Sequence, residues 1–187
     1  MAVAFAAALA LVSLGAIAAA PALAGQGGFS AATPPPAAPA VVAGAAQPVY
    51  PIRGPHQFWE GMGAGRGHQG VDLGSPCGTP LVAVQAGKVR FAKYHSRAGN
   101  YAVIDLDNST LDLVYAHMRE PASVVAGQTV VAGQQIGLVG DTGNASGCHL
   151  HFEVWDGGYY TGGAPIDPMP LLTSLERKRE RPAKRSR

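Results

Sequence analysis

The sequence predicts an all-β, or at least β-dominated, domain built on an antiparallel sheet. The 25 Gly and 15 Pro are spread among short apolar runs, a composition that favours many short strands over long helices. Pro80 to Tyr94, Tyr101 to Asp107, Thr110 to Met118, Thr129 to Val139 and His149 to Trp155 each read as strands, being β-branched or alternating and bounded by Gly, Asn or Asp. No clear amphipathic helix lies between them. Breaks at Gly87, Ala98-Gly99-Asn100, Asp107-Asn108, Gly127 and Gly140 to Gly147 suit the turns of an antiparallel sheet. The length of 187 residues fits one domain with tails at either end, and no repeat of fixed period stands out.

The ends differ from the middle in composition. Residues 2 to 20 carry no charge and are mostly Ala, Leu, Val and Ile, and Ala22-Leu23-Ala24 supplies the small residues a signal peptidase reads. Residues 1–24 are therefore expected to be a secretory signal peptide. No Lys or Arg precedes the apolar run, so the true start lies upstream or the segment serves as an uncleaved anchor. The weak contribution of Ala to membrane insertion and the break at Pro21 count against the anchor. Residues 25–47, rich in Pro and Ala, are expected to be an extended tether. The folded domain is then placed at 48–172.

From Thr173 to Arg187 there are seven Lys/Arg against Glu176 and Glu180, a net charge of +5, while the rest of the chain is −3. This tail is expected to be disordered, and either solvated or drawn to anionic polymers or a membrane surface. No aromatic residues are interleaved with its charges, which argues against nucleic-acid binding.

The strongest local signal is Cys148-His149-Leu150-His151-Phe152-Glu153-Val154-Trp155. On a strand, His149, His151 and Glu153 share one face and Leu150, Phe152 and Val154 the other. The apolar face is the core face, so two imidazoles stand side by side on the open one. Glu153 is either an outer acceptor for a histidine N–H or an ordinary surface carboxylate. A second segment, Gly67-His68-Gln69-Gly70-Val71-Asp72-Leu73, holds an imidazole and a carboxylate four residues apart. Fully extended, they would lie roughly 13 Å apart, so the chain must turn between them, and Gly67 and Gly70 are placed to allow it. Imidazole and carboxylate suit Zn²⁺, and three protein ligands with an open fourth position is the arrangement of a catalytic zinc site. In a third segment, Tyr115-Ala116-His117-Met118, alternation puts His117 on the face of Leu111, Leu113 and Tyr115.

Taken in order, His68-x-x-x-Asp72, Tyr-x-His117 and His149-x-His151, with Gly70-Val71-Asp72-Leu73 and Gly143 through Phe152, closely resemble the lysostaphin-like (LytM-type) metallopeptidases over about Tyr50 to Trp155. The resemblance implies a single domain with long loops lining a groove, one zinc held by His68, Asp72 and His151, and His117 and His149 assisting the water and stabilising the transition state. It implies a secreted endopeptidase, expected to be monomeric, that cuts peptide bonds of bacterial peptidoglycan, with the basic tail near anionic wall polymers. Which bond is cut stays open. Trp59 stands where the family commonly has glycine, a departure expected to reshape the groove wall. His56 and His95 lie outside the pattern.

Cys77 follows the first ligand pair and Cys148 precedes His149, so a Cys77–Cys148 disulfide is expected in an exported chain. Strand alternation points Cys148 away from His149, which disfavours it as a ligand. Three rival readings are weaker. A catalytically silent wall-binding or hydrolase-activating module would lack ligands, and none is missing. A lipoyl-like or biotinyl-like carrier, suggested by Val130 to Gly137, needs an exposed hairpin lysine that neither Lys88 nor Lys93 supplies. A D-alanyl carboxypeptidase spaces its histidine and aspartate more widely.

Overall fold

The computed structural model describes residues 47–65 and 67–180. The expected signal peptide and nearly all of the expected tether lie outside the described residues. Among the described residues, no helix is long and apolar enough to cross a membrane. The strands are β1 (Gln57–Glu60), β2 (Val71–Gly74), β3 (Pro80–Val82), β4 (Gly87–His95), β5 (Gly99–Leu106), β6 (Leu111–Met118), β7 (Thr129–Val130), β8 (Gln135–Leu138), β9 (His149–Asp156) and β10 (Ala164–Ile166). Helix α1 spans Met169–Glu180. The large sheet runs β1-β2-β9-β6-β5-β4-β7, with β10 also paired to β9, and β3 and β8 form a second, two-stranded sheet. Every pairing is antiparallel.

Alternation divides the large sheet into two buried faces. Leu73, Ile104, Leu113, Tyr115, Leu150 and Phe152 point into the main core, where Leu81 of β3 and Ile136 of β8 meet them. Tyr101, Val103, Val114, Ala116 and Trp155 form a smaller cluster on the opposite face. Burial on both faces is why these strands read as apolar runs. Tyr115, fully buried, accepts a hydrogen bond from the Val84 N–H at 2.9 Å and so ties the loop after β3 to the sheet. The run from Pro80 to Tyr94 is therefore two strands. Its break is at Ala83, which donates its N–H to Gln134 O and accepts one from Gly133.

The C-terminal region corrects the expectation of a disordered tail from Thr173. Residues 173–180 continue α1, and Leu172 and Leu175 are buried in the main core. The Asp167 carboxylate accepts the Met169 N–H at 2.9 Å where the helix begins. Pro170 is tolerated there because its missing N–H falls in the first turn. Arg177, Lys178 and Arg179 occupy the last turn, where the helix dipole favours cations. The charge run thus masks a helix held by two leucines.

Cys77 and Cys148 are joined in a disulfide, Cα to Cα 5.3 Å, that links the loop after β2 to the start of β9. Neither sulfur belongs to the group of side chains able to hold a metal. With a sequence separation of 71, reduction is expected to cost about 4 kcal/mol in the chain-entropy model. Thermal unfolding with and without reductant measures that loss. Metal content should stay unchanged.

Candidate metal centre

Pairing of β2 with β9 sets the centre. Asp72 lies opposite His151 in that ladder, and Leu73 lies opposite Leu150, so core packing of the leucines fixes the two polar side chains on the other face. His68 arrives from the preceding turn, where Gly67 adopts φ 74°. Gly70 does not need a positive φ. A Cβ there would lie 2.4 Å from the Phe152 carbonyl oxygen, so this glycine permits a close approach to β9.

His68 Nε2, Asp72 Oδ1 and His151 Nδ1 converge at mutual distances of 3.1, 2.9 and 2.8 Å. Their surroundings decide which nitrogens carry lone pairs. His68 Nδ1 donates to Gly61 O at 2.9 Å. His151 Nε2 donates to the Glu153 carboxylate at 2.8 Å. In the neutral tautomers, His68 Nε2 and His151 Nδ1 then present lone pairs toward the Asp72 carboxylate. Three acceptors facing one another repel unless a cation lies among them. Tetrahedral ligands at zinc bond lengths are separated by about 3.3 Å, close to this triangle, so the donor set fits a divalent zinc-type ion.

Glu153 is buried, 8% exposed, and its second oxygen accepts the Trp155 indole N–H. The surface-carboxylate reading of Glu153 is thereby excluded, and its place is that of an outer acceptor orienting His151. Burial pulls the His151 pKa down. The hydrogen bonds that its ring donates to the Asp72 and Glu153 carboxylates, and their negative charges, outweigh that and raise it to about 9. Burial raises the Asp72 pKa, but the His151 hydrogen bond and the charges of His151, His149 and His68 hold it below the usual carboxylate value. In the metal-free protein at neutral pH, a proton on His151 therefore does part of a cation's work.

His117 and His149 flank the triad, with ring centroids 4.7 Å apart and His117 5.9 Å from His151. His149 Nδ1 donates to Gly147 O at 2.8 Å, and His117 Nδ1 to Thr142 O at 2.7 Å. Each leaves Nε2 as the free nitrogen. Burial lowers the His117 pKa to about 4, reinforced by His149 and His151 and opposed by the Thr142 carbonyl. His117 is thus a neutral imidazole above that pH.

The face expected for His117 is corrected. Leu113 and Tyr115 point into the main core, but His117 has φ 59°, and the β5–β6 register is irregular between Asn100 and Ala102. This left-handed residue breaks the alternation and brings the ring over to His149. Thr142, which sequence reasoning missed, holds the break: its hydroxyl donates to Met118 O and accepts the Asn100 N–H. Its signal lay only in the Gly140 to Gly147 turn. All five predicted side chains meet here. His56 instead stacks on Tyr50, and His95 lies at the far end of the groove.

The groove around the centre has a volume of about 1250 Å³. Trp59 forms part of one wall, 5.5 Å from the His149 ring, and passes so close over Gly74 that a Cβ there would strike its indole. Tyr159 and Tyr160 line the other side, and the Tyr160 hydroxyl donates to Gln69 at 2.7 Å.

The profile described as Peptidase family M23 matches residues 66–168, more than half of the chain and all five of these side chains. The chain belongs to peptidase family M23. Among curated relatives, this M23 chain is 39% identical over 112 residues to the peptidoglycan DD-endopeptidase ShyB of Vibrio cholerae, covering 58% of the chain and 25% of that relative. It is 36% identical over 115 residues to ShyA of the same organism, again covering 25% of the relative. The chain therefore spans about a quarter of the length of these relatives. The lysostaphin catalytic domain of Staphylococcus simulans superposes with a TM-score of 0.59 at 30% identity, over 63% of this chain and 92% of that one. A zinc-containing peptidase of Vibrio cholerae gives 0.57 at 34%, over 67% and 40%. The strand-dominated fold expected from the sequence is the fold of these M23 structures.

Proposed function

We propose that this protein is an exported zinc endopeptidase that hydrolyses peptide bonds of bacterial peptidoglycan. The observation that carries the reading is the convergence of His68, Asp72 and His151 beside two further imidazoles, His117 and His149, that line the same groove. The names of the curated relatives supply the substrate class, and the open groove suits an extended peptide. The wall lies beyond the cytoplasm, in keeping with the signal peptide read from residues 1–24.

His68, Asp72 and His151 would hold the ion, and bound zinc supplies an acidified water and a polarised scissile carbonyl. The chain's own residues do the remainder. Glu153 keeps His151 in the tautomer that leaves Nδ1 free. The Gly147 and Thr142 carbonyls do the same for Nε2 of His149 and His117. In this reading those two nitrogens would take a proton from the attacking water, return it to the leaving amine and, when protonated, donate to the developing oxyanion. Trp59 and Tyr160 bound the groove in which the peptide lies.

The purified protein should release peptide fragments from isolated sacculi, lose that activity to a chelator and regain it with one equivalent of zinc. Mass spectrometry of the fragments identifies the bond. No release, or release that a chelator leaves intact, would refute the reading.

Metal binding should depend on pH through His151. Its pKa of about 9 means that the metal-free protein carries the proton below that pH, and the ion must displace it. Apparent zinc affinity is expected to rise about tenfold per pH unit through the neutral range and to level off above about pH 9. Calorimetry in buffers of different ionisation enthalpy should report about one proton released per ion at pH 7.

A further inference from the structure

We infer that Lys93 and Arg97 form a carboxylate-binding subsite at one end of the groove, so that the peptide this protein cuts carries a free carboxylate on that side of the scissile bond. The inference rests on the hydrolase reading above and narrows its substrate class.

Sheet register places the relevant side chains in one transverse row. Glu60 of β1 lies opposite Asp72, Asp72 opposite His151, and His151 opposite Ala116. Tyr101 sits in the irregular stretch of β5 that faces Ala116 and His117, and it lies opposite Lys93 of β4. A single row across five neighbouring strand pairs therefore carries Glu60 at one end, the metal centre beside it and Lys93 at the other end. Glu60, Lys93 and Arg97 all line the groove.

The two cations have the character of a recognition element. Both are exposed, and among the described residues neither has a carboxylate within ion-pair distance. Lys93 Nζ lies 4.6 Å from the Phe91 ring centroid and 6.0 Å from that of Tyr101. These rings belong to or pack on the smaller cluster that floors the groove. The stem of Lys93 is therefore laid along an aromatic surface, which confines its charge more than an unsupported surface lysine. Arg97 sits in the β4–β5 turn, where its carbonyl accepts the Asn144 N–H at 2.9 Å and fixes the backbone beside it. Asp72 and Glu153 already face His151, and among the described residues that line the groove the Lys and Arg side chains lie at the β4 end, while Glu60 supplies the opposite sign at the β1 end.

Four strand spacings separate β2 from β4, about 19 Å between backbones. That distance corresponds to about six residues of fully extended peptide, and fewer once the Lys93 side chain reaches inward. A peptide lying across the strands would thus have its scissile bond at the metal centre and a carboxylate, terminal or on a side chain, a few residues away at Lys93 and Arg97. A neutral bridge of glycines would leave both cations unmatched.

The test compares isolated sacculi with the same sacculi after their carboxylates have been converted to amides with carbodiimide and ammonia. The readout is the ratio of release rates, native over amidated, for the full chain and for a Lys93→Met, Arg97→Gln double variant that removes both charges and keeps most of each apolar stem. The wild-type ratio is expected to be tenfold or more and to fall toward one in the variant. A wild-type ratio near one, or an unchanged ratio in the variant, would overturn the subsite. Retention of both proteins on the two walls in the presence of chelator is measured in parallel. If wild type cleaves neither wall, the hydrolase reading has failed, and the retention ratio then decides the subsite by the same criterion. The basic helix is common to both proteins, so its attraction to the wall cancels in the comparison.

Discussion

Asp72→Ala is expected to lower zinc affinity by more than about a hundredfold while leaving the domain folded. The carboxylate is the anion of the proposed ligand set, and its Oδ1 touches both His68 and His151. Removal takes away one bond to the ion and the charge that balances it. Outer-shell losses at such sites typically reduce affinity ten- to a hundredfold, so the loss of a ligand must exceed that. The fold should survive because β2 is held by Val71 and Leu73, both buried in the main core, on the face opposite Asp72. Glu153→Gln is the companion measurement: a neutral amide in place of the carboxylate should cost about ten- to a hundredfold in affinity. Competition against a chromophoric chelator ranks the three proteins. Wild-type affinity in Asp72→Ala would remove the residue from the ligand set.

The centre was legible where regular strand geometry governs the chain. Alternation from His149 to Trp155 correctly divides Leu150, Phe152 and Val154 from His151 and Glu153, because core packing leaves no freedom of register. The same rule misplaced His117. Its φ of 59° and the adjacent register shift depend on Thr142, which is 25 residues away in sequence, and no local pattern announces such a contact. Gly70 was read as a turn residue, but the demand on it is the nearness of the Phe152 carbonyl, a tertiary fact. Strand β1 has four exposed residues and β10 only three residues in all, too little for a period of two to show. Helix α1 was hidden by its charges: only Leu172 and Leu175 are buried among its residues, and Pro170 reads as a breaker unless the helix start is known.

Replacing His117 or His149 with alanine is expected to separate catalysis from metal binding. Neither ring belongs to the converging triad. His149 Nε2 stands 3.7 Å from Asp72 Oδ1, too far for a hydrogen bond, and His117 meets the site only through its neighbours' rings. Zinc content should therefore stay near one per chain in both variants. If the two free nitrogens move the water proton and hold the developing oxyanion, turnover on sacculi should fall about a hundredfold or more in each. His117→Ala also leaves the Thr142 carbonyl without its imidazole donor and retains a left-handed residue, so its stability must be measured beside its activity. His117→Gly relieves the backbone conformation and supplies the control. Sacculus digestion, zinc analysis and wall pull-down on the same preparations separate the outcomes. Full turnover in both alanine variants would exclude these histidines from the chemistry, and a wild-type protein that holds zinc and wall but cleaves nothing would mark the chain as a binding module.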